Sequence, residues 1–190
     1  ITHIVRDGLR RMYGPNPENV FYYLTIYNEP ILQPAEPANL DVEGLLRGIY
    51  CYSPVREQTG RPRAQVLASG VAMPWALDAQ RLLGEEWQVD LDVWSVTSWT
   101  ELRRDALDTD EWNHTHPQQP QRIPYVTRRL SDAPGPVVAV SDWMRAVPDQ
   151  IAPFMPGAWS SLGTDGFGLS ATREALRRNV RVAAPAVVLR

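Results

Sequence analysis

Apolar positions along this chain fall into short runs that change from a helical spacing to continuous stretches. The first run predicts an amphipathic helix, with apolar side chains at Ile1, Ile4, Val5, Leu9 and Met12. The turn residues Tyr13-Gly14-Pro15 end this helix. Residues 20–27 are aromatic or β-branched almost throughout, which predicts a strand that is buried on both faces.

From residue 64 onwards, strand-like and helix-like runs alternate. The predicted strands are residues 64–69, 91–96, 137–140 and 159–162, with a last strand across 182–189. The predicted helices are residues 76–87, 101–107 and 172–178, with a polar, proline-rich loop at 108–124. This alternation predicts an α/β fold, a mostly parallel sheet with helices on both faces.

Prolines punctuate the segment between these two parts of the chain. They are Pro30, Pro34, Pro37, Pro54 and Pro62, and they leave one short apolar stretch at 45–52. We interpret this segment as a linker-like crossing, with a domain boundary near residue 60. Because the first helix starts without a cap or an initiator methionine, we expect the chain to be part of something longer.

The charge balance narrows the classes of partner. The chain has 190 residues, 19 of them basic and 22 acidic, and a formal net charge of −3. Because nucleic acids and anionic membranes are bound by a basic excess, this balance argues against both. No apolar run approaches the ~18 residues of a membrane span. All basic residues are arginines, which excludes lysine Schiff-base chemistry within this chain. A single cysteine, Cys51, rules out an internal disulfide and is predicted to be a packed small residue.

Two segments resemble metal-binding patterns only superficially. Asp165 lies in Gly163-Thr164-Asp165-Gly166, but a diphosphate-and-metal motif needs a later Asn, and Asn179 follows too closely. We therefore predict that Asp165 caps the backbone of a turn. His114 and His116 lack further ligands nearby, so we predict that His116 is hydrogen-bonded to the backbone rather than to zinc.

Glu29 is the candidate for acid–base chemistry. It follows the predicted strand at 20–27 directly, and ligands bind at the carboxyl ends of strands in parallel α/β sheets. A carboxylate there could act as an acid or a base with a raised pKa. The alternative is a surface Glu that accepts a hydrogen bond at a turn of the chain. The paired charges Glu85-Glu86, Arg103-Arg104 and Arg177-Arg178 are interpreted as solvated helix faces.

Several blocks of the sequence resemble one enzyme family. The first is NVFYYLTIYNEPILQPAEP at 19–37, and the second is DVWSVTSWTELRR at 92–104. Further blocks are Trp112-Asn113, His116-Pro117, IPYV at 123–126, VSD at 140–142 and GTDGFG at 163–168. In this order they resemble the homodimeric pyruvate dehydrogenase E1 component, a thiamine-diphosphate-dependent enzyme. Their sequences are most similar to those of its actinobacterial branch.

The resemblance implies a division of the chain and a set of roles. Residues 1–37 would be the end of a pyrimidine-binding domain, 38–60 a linker, and 61–190 a transketolase-like C-terminal domain. Thiamine diphosphate and Mg²⁺ would be bound mainly by residues outside this chain, so no cofactor or metal ligand is predicted within it. Glu29 lies in the family's Asn-Glu motif near the active-centre channel, and it is our predicted catalytic residue.

The implied function is that of the C-terminal portion of pyruvate dehydrogenase E1. The whole cytoplasmic homodimer would decarboxylate pyruvate and reductively acetylate the lipoyl group of dihydrolipoyl acetyltransferase, E2. This portion would support the dimer and the active-centre channel, and it would be inactive alone. Leu32 stands where the enterobacterial branch has His. Leu169-Ser170-Ala171 replaces Arg-Ser-Asp, and residues 179–190 resemble the family poorly; these two changes leave open a non-catalytic interaction module derived from E1. A related thiamine-dependent 2-oxo acid enzyme is a third possibility.

Overall fold

A computed structural model describes residues 1–55 and 60–190, and a sheet organises most of them. The described strands are β1 (Ile49–Ser53), β2 (Arg63–Ala68), β3 (Asp90–Val96), β4 (Val137–Val140) and β5 (Trp159–Leu162). They form a five-stranded sheet in the order β1-β3-β2-β4-β5. β2, β3, β4 and β5 are parallel, whereas β1 pairs antiparallel with β3. The predicted mostly parallel sheet is confirmed.

Helices cover both faces of this sheet. The helices of the described residues are α1 (Thr2–Tyr13), α2 (Val42–Leu46), α3 (Met73–Leu82), α4 (Trp99–Thr115), α5 (Tyr125–Leu130), α6 (Arg173–Val180) and α7 (Ala184–Val188). Short 3₁₀ segments lie at Gly70–Ala72 and Pro148–Phe154, and a wider turn at Leu83–Trp87 extends α3.

The alternation of side chains along β2 separates two hydrophobic cores. Val66 faces the core that includes α3 and α7. Leu67 faces the other core, which includes α4, α5 and Ile151 of the second 3₁₀ segment. Both side chains are fully buried, because a central parallel strand has helices on each face.

Two predictions about helices and strands were wrong: the end of one helix, and the type of the last element. The helix predicted at 101–107 extends through Thr115, so the first half of the predicted loop 108–124 is helical. Its polar residues continue on the exposed face, and the helix ends just before Pro117. The last strand predicted across 182–189 is α7 instead. Pro185 lies in the first turn of this helix, and Ala184 and Val187, three residues apart, are buried together in the α3 core.

The strand predicted at 20–27 was also wrong. This segment is not part of any sheet among the described residues, so its backbone has no ladder of hydrogen bonds to make it a strand. Its side chains are largely exposed rather than buried on both faces, with Phe21 at 87% and Tyr23 at 84% exposure. Tyr22 is an exception, because it packs on Gly8 of α1 and hydrogen-bonds Asp7.

The predicted linker at 38–60 contains regular structure. α2 and β1 lie within it, and β1 is paired with β3 in the sheet. Residues 56–59, which are part of the predicted linker, lie outside the described residues. The division of the chain into domains at 37 and 60 stays a prediction.

A buried carboxylate joins three parts of the chain at the amino end of the parallel strands: β2, β3 and the segment after β1. Asp92 on β3 accepts hydrogen bonds from Arg63 Nε and Nη2, both at 2.8 Å, and from Gln65 Nε2 at 2.9 Å. It also accepts a 2.7 Å hydrogen bond from the backbone amide of Val55. Burial alone would raise the pKa of Asp92, but these hydrogen bonds, that from Arg63 foremost, outweigh it and lower that pKa. The carboxylate is therefore ionised and fully paired.

Replacing Asp92 by Ala is expected to lower the free energy of unfolding by about 3–5 kcal/mol, because Arg63 and Gln65 lose their shared partner in a buried site. Urea denaturation of the full chain measures this loss. Asp110→Ala is the matched control, since Asp110 is exposed on α4, and it should change stability by less than about 0.5 kcal/mol. A similar small change for both variants would contradict a central role for the Asp92 network.

Candidate functional site

The segment 27–29 lies across the carboxyl edge of the sheet. The hydroxyl of Tyr27 donates a 2.9 Å hydrogen bond to Asp142 Oδ1, and Asp142 follows shortly after β4. The same hydroxyl lies close to Gly70, which follows shortly after β2. This edge is where parallel α/β sheets bind their ligands. The sequence analysis expected Glu29 at this edge because it predicted a strand at 20–27. That strand is not formed, but residues 27–29 do lie beside the edge.

Glu29 is held by two arginines of α6. Its carboxylate accepts hydrogen bonds from Arg177 Nη1 at 3.2 Å and from Arg177 Nη2, and Arg173 Nη1 lies 4.0 Å away. The neighbouring Asn28 Oδ1 accepts a 3.1 Å hydrogen bond from Arg173 Nη2. The interpretation of Arg177 as a solvated residue was wrong, because its guanidinium also lies 5.1 Å from the ring centroid of Trp75.

This pairing decides the charge of Glu29. Its hydrogen bond from Arg177 is the largest influence and holds the pKa of Glu29 below its ordinary value, while burial opposes this only in part. The expectation of a raised pKa was therefore wrong, since it assumed an unpaired carboxylate after a buried strand. Glu29 is an ionised group in this arrangement and is suited to accept hydrogen bonds, while its lowered pKa makes it a weaker proton acceptor than an unpaired carboxylate.

Asp165 has a structural role, as the sequence analysis predicted. Its Oδ1 accepts a 2.9 Å hydrogen bond from the backbone amide of Arg145, and its Oδ2 accepts one from Arg145 Nε at 2.5 Å. The side-chain hydrogen bond from Arg145 is the main cause of the lowered pKa of Asp165. Asp165 does accept a hydrogen bond from a backbone amide, but the donor is Arg145 in the loop after β4 rather than the backbone of its own turn. Among residues 1–55 and 60–190, no group of three or more His, Cys, Asp or Glu side chains is placed to hold a metal ion.

His116 and Cys51 also have structural surroundings. His116 Nδ1 lies 2.9 Å from the carbonyl oxygen of Trp112, which confirms the predicted hydrogen bond to the backbone. Its ring stacks on Trp112, whose other neighbour is Arg122 at 3.6 Å from the ring centroid. The sequence analysis did not identify this stack. Cys51 is packed as predicted, and burial raises the pKa of its thiol to about 12, so it is a poor nucleophile.

A set of hydroxyl groups at the carboxyl edge escaped the sequence analysis. Ser69 and Ser141 directly follow β2 and β4, and their Oγ atoms are 3.2 Å apart. Trp99 Nε1 donates to Ser69 Oγ at 3.1 Å, and the backbone amide of Trp143 donates to Ser141 Oγ at 3.1 Å. The signal for them was available, since each is a polar residue directly after a buried strand. These hydrogen bonds position the two strand ends and leave neither serine beside a general base.

No helix in the described parts of the chain has both the length and the apolar character that crossing a membrane requires.

Comparison with known proteins agrees with the fold. The sequence model of the family described as "Transketolase-like TK C-terminal domain" matches residues 48–183. A transketolase from Leishmania mexicana superposes on 80% of this chain and 18% of its own length, with a TM-score of 0.52 and 21% identity. At this identity the likeness concerns the fold alone.

Two curated relatives have much higher identity. The pyruvate dehydrogenase E1 component of Mycolicibacterium smegmatis is 58% identical over 100% of this chain and 20% of its own length. The protein of the same name from Mycobacterium tuberculosis is 59% identical over 94% of this chain and 19% of its own length. The chain thus spans about one fifth of the length of these relatives. The predicted resemblance to pyruvate dehydrogenase E1, including the similarity to its actinobacterial branch, is confirmed.

Its sheet topology, the family match over residues 48–183 and these identities lead to one conclusion: the chain belongs to the family of transketolase-like C-terminal domains, in the form found in pyruvate dehydrogenase E1 components.

Proposed function

We propose that this chain is part of a pyruvate dehydrogenase E1 component. The whole protein would release CO₂ from pyruvate and transfer the remaining acetyl unit to the lipoyl group of E2, whose disulfide is reduced as the two-carbon unit is oxidised. The observation that supports this most is the 58% identity to such a protein over the entire chain. An identity of this size along all of the elements makes a different reaction class a poor alternative.

The residues described here do not fit the cofactor by themselves. Thiamine diphosphate needs a metal-bridged diphosphate site, yet no metal-binding cluster occurs among the described residues, and the carboxylate of Asp165 is already paired with Arg145. We therefore propose that thiamine diphosphate and Mg²⁺ bind mainly to residues outside this chain. The contribution of this portion would be to support a homodimer and the wall of the active-centre channel, in the cytoplasm.

Within that channel we propose Glu29 as a catalytic residue. Two observations support it: its place in the Asn-Glu motif and its position beside the carboxyl edge of the sheet. Because Arg177 keeps the carboxylate ionised, Glu29 would orient a substrate group as a charged hydrogen-bond acceptor. The side chain of Glu29 is 21% exposed while it is paired with Arg177.

The first expected outcome concerns the two lengths of protein. With thiamine diphosphate and Mg²⁺, the whole protein should release CO₂ from pyruvate, whereas residues 1–190 alone should not, because the cofactor ligands lie elsewhere. Release of labelled CO₂ from carboxyl-labelled pyruvate measures both. Turnover by the isolated chain would refute the proposed location of the catalytic set. Turnover of another 2-oxo acid in preference to pyruvate by the whole protein would assign it to a related thiamine-dependent enzyme.

Glu29→Gln in the whole protein should lower kcat by at least about tenfold, because the amide carries no charge and accepts hydrogen bonds more weakly than the carboxylate. Its melting temperature should change little, since Gln keeps the shape of Glu. Steady-state kinetics and thermal melts separate the two effects. Glu174→Gln is the control, because Glu174 pairs with Arg178 on the exposed side of α6. An unchanged kcat for Glu29→Gln with an unchanged fold would make Glu29 structural.

Arg177→Gln should raise the pKa of Glu29 towards its ordinary value of 4.5, since the main cause of the lowering is removed. The stability that this pair contributes is fully present above pH 4.5 and is lost as the pH falls through the lower, folded-state value. A ¹³C NMR titration of the Glu29 carboxyl group measures the shift directly. Arg178→Gln, which breaks the pair with Glu174 instead, should leave the titration of Glu29 unchanged. The same midpoint in the Arg177 variant and the original chain would rule out Arg177 as the cause.

A further inference from the structure

The carboxyl ends of β2 and β4 form a crevice at the point where the order of strands reverses. The chain passes from β2 to β3 on one side of β2, and β4 lies on its other side. The loops that follow two such strands diverge in opposite directions, which opens the space where α/β sheets commonly take a ligand. Gly70 and Asp142 are on the two loops that leave this crevice.

Tyr27 from the chain's own N-terminal segment fills this space. Its hydroxyl donates to Asp142 Oδ1 at 2.9 Å and itself accepts a hydrogen bond from the backbone amide of Val71. Gly70 has a φ of +53°, and a Cβ atom built there would lie 2.4 Å from the Tyr27 oxygen. A glycine at this position therefore provides both the backbone conformation and the room for a phenol.

Two other side chains of the segment 20–27 are far more exposed than Tyr27. Tyr27 is 36% exposed, whereas Tyr23 is 84% and Ile26 80% exposed. Burial, together with the nearby Asp142 carboxylate, raises the pKa of Tyr27, so its hydroxyl keeps the proton that it donates. Tyr27 thus docks at the edge of the sheet with polar partners, whereas Phe21 and Tyr23 lie in solvent and Tyr22 packs on α1 instead.

We propose that the crevice between the β2 and β4 loops is a binding site for an aromatic hydroxyl group, and that Tyr27 occupies it as an intramolecular ligand. The recognition elements are the Asp142 carboxylate as acceptor, the Val71 amide as donor and the Gly70 backbone as the wall. The ligand class is a small phenol with an alkyl group opposite the hydroxyl, which is the chemistry of the tyrosine side chain. Occupancy by Tyr27 brings Asn28 and Glu29 against Arg173 and Arg177 of α6.

Removing the intramolecular ligand should open the site to an added one. Tyr27→Ala in the full chain should lower the melting temperature by about 4–8 °C, the cost of losing a half-buried aromatic side chain. Added p-cresol, at tenfold above its dissociation constant, should then raise that melting temperature by about 3–5 °C in a saturable manner. Toluene, which lacks the hydroxyl, should give a clearly smaller rise.

Two control proteins define what counts against the proposal. The unsubstituted chain, whose site is filled, and Tyr23→Ala, which removes an exposed tyrosine, should show no saturable stabilisation by p-cresol. Equal stabilisation of Tyr23→Ala would mean non-specific binding and would overturn the proposal. So would a folded Tyr27→Ala protein that does not respond to p-cresol.

A milder substitution keeps the test decisive if Tyr27→Ala does not fold. Tyr27→Phe retains the ring and deletes only the hydroxyl, so it should lower the melting temperature by about 2–4 °C. In a chain that also carries Asp142→Ala, the same Tyr27→Phe change should cost much less, because the acceptor is already gone. An equal loss in both backgrounds would show that Asp142 does not recognise the hydroxyl, and the proposed site would be rejected.

Discussion

The arrangement of the sheet depends on the hydrogen bonds that the buried carboxylate of Asp92 accepts. A buried charge is tolerated only when its oxygens are paired, and here the partners come from separate segments: Arg63 and Gln65 on β2 and the amide of Val55 after β1. Gln65 continues the network, because it accepts from Trp94 Nε1 at 2.8 Å and donates to the carbonyl of Pro134 at 3.0 Å. One carboxylate thereby links the amino ends of β2 and β3 to the segment that follows the antiparallel strand β1.

Fixing the amino ends of the strands also fixes what meets at their carboxyl ends. In a parallel sheet a shift of one residue would turn every side chain to the opposite face. The pairing of Gln65 with Asp92 sets β2 against β3, and the pairing of Ala68 with Val140 brings Ser69 and Ser141 together at the opposite edge. The structural charge and the candidate site therefore occupy opposite ends of the same strands. This separation allows the residues of the carboxyl edge to vary without loss of the network that holds the sheet.

The parts of the fold that could be predicted from the sequence are those in which local preference and burial agree. Residues 137–140 are apolar, three of the four are β-branched, and they form an inner strand between β2 and β5, so a short run sufficed. Residues 20–27 have the same preference but no strand beside them among the described residues, and a strand depends on its neighbour. In α7 the apolar run had no distinctive period, and packing against α3 decided for a helix. The pairing of Glu29 with Arg177 joins positions 148 residues apart, which no local pattern can predict.

The roles of Tyr27 and Glu29 follow from the different strengths of their contacts. A partly exposed ion pair such as Glu29–Arg177 contributes little stability, about 0–1 kcal/mol, because water screens it. This ion pair alone cannot hold residues 27–29 against the domain. The docked ring of Tyr27 removes apolar surface from water and also makes a directional hydrogen bond to Asp142. Tyr27 therefore supplies the attachment, and the arginines of α6 supply the orientation of Asn28 and Glu29. A carboxylate held in this way keeps its charge and its direction, which are the two properties that the role proposed for Glu29 requires.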